Sequence, residues 1–122
     1  MKMTYQTGLD GELLASEWLI GHCGMKLIAR RYRNKAGEID LIMLDGKTVV
    51  FIEVKTRMKA EPGMGLLAVD RRKQQRIARA AALYLIENNM KDQPVRFDAV
   101  EINREKVLHI PNAFQPGRMF YR

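Results

Sequence analysis

The sequence predicts a single layered domain of the α/β or α+β type with a mixed β-sheet. The chain has 122 residues, of which 47% are hydrophobic, and this length supports one core but not two. No repeat, low-complexity run or Pro/Ser-rich linker divides the sequence, so one domain over residues 1–122 is expected. Its apolar patterns follow the order helix, three strands, helix, two strands, which is typical of domains that layer helices on a sheet.

The first helix is predicted from about Leu9 to His22, because apolar residues recur there at helical spacing and Gly24 follows as a C-terminal stop. The apolar positions of this helix are Leu9, Leu13, Leu14, Trp18 and Ile20. The next segment, MKLIARRYRN at 25–34, is predicted to be a short strand that runs into a basic stretch.

The second and third strands are predicted from GEIDLIMLDGKTVVFIEVKTR, residues 37–57. Asp45 and Gly46 lie between the two apolar runs, and both residue types tolerate the positive backbone angles of a tight turn, so the segment is predicted to be a β-hairpin. The following segment, near 57–68, contains Pro and Gly and has no periodicity, which predicts a flexible loop.

The second half of the chain is predicted to contain one helix and two strands. Residues 68–89 show a clear helical period. The core-facing positions predicted for this helix are Ile77, Ala78, Ala81 and Leu85. The segments VRFDAVEI at 95–102 and KVLHI at 106–110 are predicted to be short strands, and 112–122 is expected to form a loosely packed tail.

The charge of the chain favours a polyanionic partner. Lys and Arg number 21 against 14 Asp and Glu, which gives a net charge of +7, and this balance suits nucleic acid. The arginines expected to contact a phosphate backbone are Arg30, Arg31 and Arg33 in the first strand and Arg72, Arg76 and Arg79 along the second helix. A helical arginine stripe is also typical of a solvated face, so this surface has two interpretations.

The single cysteine, Cys23, excludes an internal disulfide and a zinc site built from several cysteines. A reducing cytoplasmic compartment is therefore expected. The apolar stretch near the start of the chain is interrupted by acids and is too short to span a bilayer, so neither a signal peptide nor a membrane helix is predicted.

The predicted hairpin carries charged residues where a buried strand would have none. Alternation places Glu53 and Lys55 on a face whose earlier positions are apolar. Asp40 reaches the same face in either of two registers: diagonal to Glu53 if the turn has two residues, and directly opposite Glu53 if the connection has four. A three-residue connection would instead send Asp40 to the other face.

This cluster of acids favours a bound metal ion. With a two-residue turn, Glu38 faces Glu53 beside Asp40, and such facing acids repel one another. Lys55 supplies one positive charge, and a divalent cation would supply more; oxygen ligands without His or Cys favour Mg²⁺ or Mn²⁺. The arrangement suits phosphodiester hydrolysis, in which Lys55 orients the attacking water or stabilises the developing charge. The alternative is a cross-strand salt bridge between Glu53 and Lys55 without any catalytic role.

The motif GEIDLI at 37–42 followed by VVFIEVKTR at 49–57 resembles the YraN family of small predicted endonucleases. This family lies within the restriction-endonuclease-like PD-(D/E)xK superfamily, which includes the archaeal Holliday-junction resolvases as distant relatives. The resemblance extends to GLDGELLASEWL at 8–19, RFDAVEI at 96–102 and HIPNAF at 109–114. It implies a restriction-endonuclease-like α/β fold with a central mixed five-stranded sheet flanked by helices.

The resemblance also implies the roles of individual residues. Asp40 and Glu53 would be metal ligands, the backbone carbonyl of Val54 would complete the metal shell, and Lys55 would be the catalytic lysine. Glu12 occupies the place of an acid that the superfamily often adds from its first helix.

The function predicted from these observations is that of a Mg²⁺- or Mn²⁺-dependent endonuclease that hydrolyses DNA phosphodiester bonds, at branched or otherwise structured DNA. Arg57 and Lys73 are expected to contact phosphates. A homodimer is expected, because a small domain cuts both strands more readily as a pair. The alternatives are a nucleic-acid-binding module without catalysis and a scaffold that recruits other DNA-processing proteins.

Overall fold

A computed structural model describes residues 8–57, 71–104 and 106–115 of the chain. The order of its elements, helix, three strands, helix, two strands, is the predicted one. The helices are α1 (Gly8–Cys23) and α2 (Arg71–Glu87), and the strands are β1 (Lys26–Asn34), β2 (Gly37–Asp45), β3 (Thr48–Arg57), β4 (Val95–Asn103) and β5 (Lys106–Ile110). The loop predicted near 57–68 lies outside the described residues beyond Arg57, as does the predicted tail beyond Gln115.

The five strands form one mixed sheet in the order β1-β2-β3-β4-β5. The pair β3 and β4 is parallel, and the other neighbouring pairs are antiparallel. Parallel neighbours need a crossover connection, and α2 lies between β3 and β4 in sequence. A five-stranded mixed sheet flanked by two helices is consistent with a restriction-endonuclease-like fold, as predicted.

One face of the sheet packs against α2 and the other against α1. The α2-side core contains Ile39, Ile42, Phe51 and Phe97 of the sheet with Ile77, Ala81 and Leu85 of the helix. The α1-side core contains Leu41, Met43, Ile52 and Val100 of the sheet with Ala15 and Leu19 of the helix. The predicted alternation along β3 is confirmed, with Val49 and Phe51 on the α2 side and Val50 and Ile52 on the α1 side.

The two helices differ in how well their apolar pattern predicts their buried face. In α2, all four predicted core positions are buried. In α1 the helix is confirmed, but its apolar positions do not all lie on the buried face: Leu13 is 37% exposed and Ile20 is 45% exposed, whereas Ala15 and Leu19 are fully buried. The buried face combines Ala15 with Leu19, against which Leu14 and Trp18 also pack, and Gly11 lets the helix lie close to the sheet.

The hairpin between β2 and β3 has a two-residue turn one position later than predicted. Asp45 pairs with Thr48, so Gly46 and Lys47 form the turn, and Gly46 has a φ of +63°. This conformation is strained for most residues and is tolerated by glycine. The strand register is therefore the one predicted for the longer connection.

A buried ionic network fixes β4 to the segment that follows β5. Asp98 is fully buried and accepts hydrogen bonds from Arg96 Nε and Nη2 at 2.9 Å, from the Asn112 amide at 2.9 Å and from His109 Nε2 at 2.8 Å. Arg96 Nη1 also lies 3.1 Å from Asp45 Oδ2. Although burial opposes its charge, these partners hold the pKa of Asp98 below its usual range. The contacts of Asp98 are structural.

The residues after β5 return to the α2-side core. Phe114 is buried, and its ring centroid lies 5.2 Å from that of Phe97. The Ala113 amide donates a hydrogen bond to the Phe97 carbonyl at 2.7 Å. Neither helix of the described chain has the length and apolar character that crossing a lipid bilayer requires.

Candidate active site

The candidate site lies where β2 and β3 part. Their ladder runs from the turn as far as the pair Leu41 and Ile52, and the same register places Asp40 directly opposite Glu53. There Asp40 Oδ2 accepts a hydrogen bond from the Val54 amide at 2.8 Å. A side chain thus replaces the next backbone bond of the ladder. Because the N–H and C=O of a strand residue face the same neighbour, the Val54 carbonyl also faces the gap between the strands.

A local irregularity in the sheet directs Asp40 into this gap. Ile39 and Ile42 both lie in the α2-side core, although residues three apart in a regular strand lie on opposite faces. The alternation therefore slips by one residue around Asp40. On the neighbouring strand, between residues that pair with Ile39 and Leu41, Arg31 has a φ of +53°. Such backbone strain is concentrated at functional sites in many proteins.

Glu53 is the acid of the site whose pKa is shifted most. Its side chain is buried and forms an ion pair with Lys73 Nζ. Burial, followed by repulsion from Asp40, raises the pKa of Glu53 to about 7, against the opposing effect of Lys73. Burial also raises the pKa of Asp40, where the Val54 amide acts in the opposite direction and the charge of Glu12 adds to the increase.

Glu12 joins these two acids from α1. The helix approaches β3 so closely that a Cβ atom on Gly11 would overlap Thr56 Oγ1, and this contact places the next residue, Glu12, beside Asp40. Glu12 is buried, and burial raises the pKa of its carboxyl group. Its Oε1 makes no hydrogen bond within the described residues; Arg31 Nε lies 3.9 Å away.

Two lysines complete the site. Lys55 is half-buried and lies two residues beyond Glu53 on the same side of β3, as alternation predicts. Lys73, the third residue of α2, contacts Glu53 and lies near Lys55. Burial opposes the charge of Lys73, but Glu53 and Asp40 raise the pKa of its amine above the usual value.

Glu38 lies away from the site. A two-residue turn at Asp45 and Gly46 would have placed it opposite Glu53, but the observed register is the one expected for the longer connection. In the observed register Glu38 pairs with Arg33 of β1, and Arg33 Nη2 donates a hydrogen bond to Glu38 Oε2 at 3.1 Å on the exposed surface. The third acid of the site is therefore Glu12.

The predicted nucleic-acid-binding arginines lie on the surface around the site. The exposed ones are Arg30, Arg31 and Arg33 on β1 and Arg72, Arg76 and Arg79 on α2. Asn34 Nδ2 donates a hydrogen bond to the Ala80 carbonyl at 3.0 Å, so the β1–β2 turn lies against α2 and the two basic segments are neighbours. The side chain of Arg57 lies outside the described part of the structure.

The comparison with known families identifies the chain. The model of the family described as uncharacterised protein family UPF0102 matches residues 11–102. This chain belongs to the UPF0102 family. The matched region contains all five residues whose charged side chains build the site, namely Glu12, Asp40, Glu53, Lys55 and Lys73.

Several UPF0102 proteins resemble the chain over most of its length. One from Thermodesulfovibrio yellowstonii is 42% identical over 109 residues, covering 89% of this chain and 96% of the relative. One from Geobacter metallireducens is 41% identical, with coverage of 88% and 91%, and one from Symbiobacterium thermophilum is 43% identical, with coverage of 92% and 98%. The crystal structure of SSO0001 has a TM-score of 0.45 and 17% identity, covering 92% of this chain and 52% of that one.

The donor atoms of this UPF0102 site fit a hard divalent cation. The buried carboxyl groups of Glu12 and Glu53 meet the partly buried carboxyl group of Asp40 there. One oxygen of Glu12 makes no hydrogen bond within the described residues, and the Val54 carbonyl faces the same gap. In the described residues no three Asp, Glu, His or Cys side chains are already arranged to hold a metal ion. Lys73 engages Glu53 and the Val54 amide engages Asp40, so a cation would have to compete for both carboxylates.

The contact between Lys73 and Glu53 was not predicted from the sequence, where Lys73 was expected to contact phosphate. A signal for it does exist in the order of elements. A helix that connects two parallel strands begins near the C-terminal end of the first strand. Glu53 and Lys55 lie towards that end of β3, so a lysine in the first turn of α2 is placed beside them.

Proposed function

We propose that this UPF0102 protein is a metal-dependent endonuclease that hydrolyses phosphodiester bonds in DNA. The observation that carries the proposal is the convergence of Glu12, Asp40 and Glu53 beside Lys55 and Lys73 where β2 and β3 part. Burying three acids together costs free energy, and neighbouring lysines offset only part of it, as the raised pKa values of the acids show. A site with this excess of negative charge is suited to bind a divalent cation.

The residues that would hold Mg²⁺ or Mn²⁺ are Asp40, Glu53 and the backbone carbonyl of Val54. These are oxygen donors, which both ions prefer. When bound, the ion would supply Lewis acidity towards the phosphate and lower the pKa of a water molecule.

The remaining groups of the site act on the water and the phosphate. Lys55 lies beside Glu53, where its ammonium group can stabilise negative charge that develops on the phosphate oxygens. Glu12 has a raised pKa and an oxygen that makes no hydrogen bond within the described residues, so it can accept a proton from the attacking water. The N-terminal turn of α2 lies at the site, and helix N-termini favour bound phosphate.

The exposed arginines support DNA as the substrate. Arginines on β1 and α2 border the site, and contacts of this kind to phosphates position a nucleic acid without reading its sequence. Selectivity would then come from the shape of the DNA, which is why branched or otherwise structured DNA is proposed. Two sites cut both strands of a duplex more readily than one, so a homodimer is proposed as the active form.

The test is cleavage of linear, flapped and four-way DNA in the presence of Mg²⁺ or Mn²⁺. Asp40→Asn keeps an acceptor for the Val54 amide while removing the negative charge, and Asp92→Asn makes the same change at an exposed position. Cleavage should be lost in D40N and in Lys55→Met, and retained in D92N and in Lys91→Met. Cleavage that survives in D40N would reveal a contaminating nuclease and refute the proposal. Binding without cleavage in the wild-type protein would favour a non-catalytic nucleic-acid-binding module.

A further inference from the structure

Lys73 places a positive charge directly against the acids of the site. Its ammonium group contacts Glu53 Oε2, where the Glu53 side chain is 6% exposed and the Lys73 side chain is 33% exposed. The same ammonium lies near enough to Asp40 to be attracted by its charge. One positive charge therefore already stands beside the two acids that are proposed to bind a cation.

We infer that Lys73 holds the place of the divalent cation in the metal-free site and must release Glu53 before the cation can bind. This inference rests on the proposed function, because it concerns the same metal site. It explains why the described acids are not arranged as a ready metal site, although three of them meet there. The charge of Lys73 reduces the repulsion between Asp40 and Glu53 when no cation is bound.

The exchange is feasible because the two partners differ in mobility. Glu53 and Asp40 lie on paired strands between packed layers, and the Asp40 carboxylate is fixed by the Val54 amide. Lys73 lies at the start of a helix on a flexible four-carbon stem and is partly exposed, so it can turn towards solvent. Its departure leaves the Glu53 oxygen open to a cation while the carboxylates stay in place.

Removing Lys73 should change the affinity for a cation in opposite directions under the two possible roles of this residue. If Lys73 only supported the site, its removal would loosen the acids and weaken cation binding. If it competes with the cation, its removal should strengthen cation binding, because the charge that shields Glu53 is lost. Since Lys73 is partly exposed and screened by solvent, we expect a gain of about tenfold rather than more.

The experiment measures Mn²⁺ binding by isothermal titration calorimetry with the full chain and no DNA. K73M should bind Mn²⁺ about tenfold more tightly than the wild-type protein. K91M makes the same substitution at an exposed position outside the site and should change the affinity by less than about twofold, which controls for the general loss of positive charge. K73Q also removes the charge and provides the second variant if K73M does not fold. K73R keeps the charge and should bind no more tightly than the wild type.

The outcomes separate this inference from the proposed function. Mn²⁺ binding by the wild type that is lost in D40N, together with tighter binding by K73M, supports both. Mn²⁺ binding by the wild type with equal or weaker binding by K73M overturns the inference and leaves the proposed function standing. Tighter binding by K73M that K91M matches also overturns it. No Mn²⁺ binding by either the wild type or K73M overturns both.

Discussion

Replacing Glu53 by Gln should change how the stability of the protein depends on pH. Burial and repulsion from Asp40 raise the pKa of Glu53 from 4.5 to about 7 in the folded protein, so the folded state favours the protonated carboxyl group. An acid with a raised pKa contributes its full stability below the unfolded value, and this contribution is lost as the pH rises through the folded value. The relevant pH range is therefore about 4.5 to about 7.

The size of the effect follows from the same two values. A tenfold change in proton affinity corresponds to about 1.4 kcal/mol, so a pKa of about 7 instead of 4.5 amounts to about 3 kcal/mol. Glu53 is only 5% exposed, which leaves little room for solvent screening. The ion pair with Lys73 already opposes the shift, so no separate correction is needed for that contact. Gln has nearly the shape of protonated Glu and does not titrate.

The assay is urea unfolding at several values between pH 4.5 and pH 8, with a chelator present, for the wild type, E53Q and E17Q. Glu17 is an exposed glutamate on α1, and its substitution should leave the profile unchanged. The free energy of unfolding of E53Q should rise relative to the wild type by about 3 kcal/mol from pH 4.5 to pH 8. Parallel profiles for E53Q and the wild type would refute the reasoning, because they would mean that Glu53 ionises as easily in the folded protein as in the unfolded chain.

A cation should reverse part of this pH dependence. Protons and cations compete for the same carboxylates, so Mn²⁺ should stabilise the wild type more at pH 8 than at pH 6. The same addition should stabilise E53Q much less at either pH, because one ligand has lost its charge. Thermal unfolding with and without Mn²⁺ measures both. Equal stabilisation of the two proteins would place the cation elsewhere.

Three further predictions concern the surroundings of the site. Gly11→Ala should lower the free energy of unfolding by about 1–2 kcal/mol, because the added Cβ overlaps Thr56 Oγ1, and adding Thr56→Ala should restore most of it; a loss that persists in the double variant contradicts this contact. Asp98→Asn should cost about 3 kcal/mol at neutral pH and less in acid, since its pKa is lowered on folding, and should leave Mn²⁺ affinity unchanged in calorimetry. Arg72→Gln combined with Arg76→Gln should weaken binding to all DNA sequences alike in fluorescence anisotropy and reduce the salt slope by about 2; an unchanged slope would mean that these arginines face solvent only.

The sheet could be predicted from the sequence because its strands alternate cleanly. Along β3 the switch from apolar to charged residues on one face already marks where the core ends and the site begins. The exact hairpin register could not be predicted, because Gly46 can serve as the positive-φ residue of either turn. Cross-strand pairing from Asp45 to Thr48 decides between them, and that pairing depends on the whole ladder rather than on the turn residues.

The face of α1 could not be predicted from its apolar residues. The helix has apolar side chains on more than one side, and the buried face is selected by how closely it can approach β3. Gly11 allows this approach, and Glu12 then enters the site although an isolated helical glutamate is usually exposed. The family resemblance indicated Glu12, while the periodicity of the sequence alone did not.

Asp40 links the architecture of the sheet to the proposed chemistry. If β2 continued its regular alternation, a backbone bond would occupy the Val54 amide and the gap between the strands would close. The slip at Asp40 keeps Ile39 in the α2-side core and gives the Val54 amide a carboxylate partner. The Val54 amide thereby has a side-chain partner in place of a backbone one, and the Val54 carbonyl faces the same gap beside two acids. Carboxylates and a carbonyl that face one gap repel one another and do not stabilise the fold, whereas a divalent cation needs this combination of oxygen ligands.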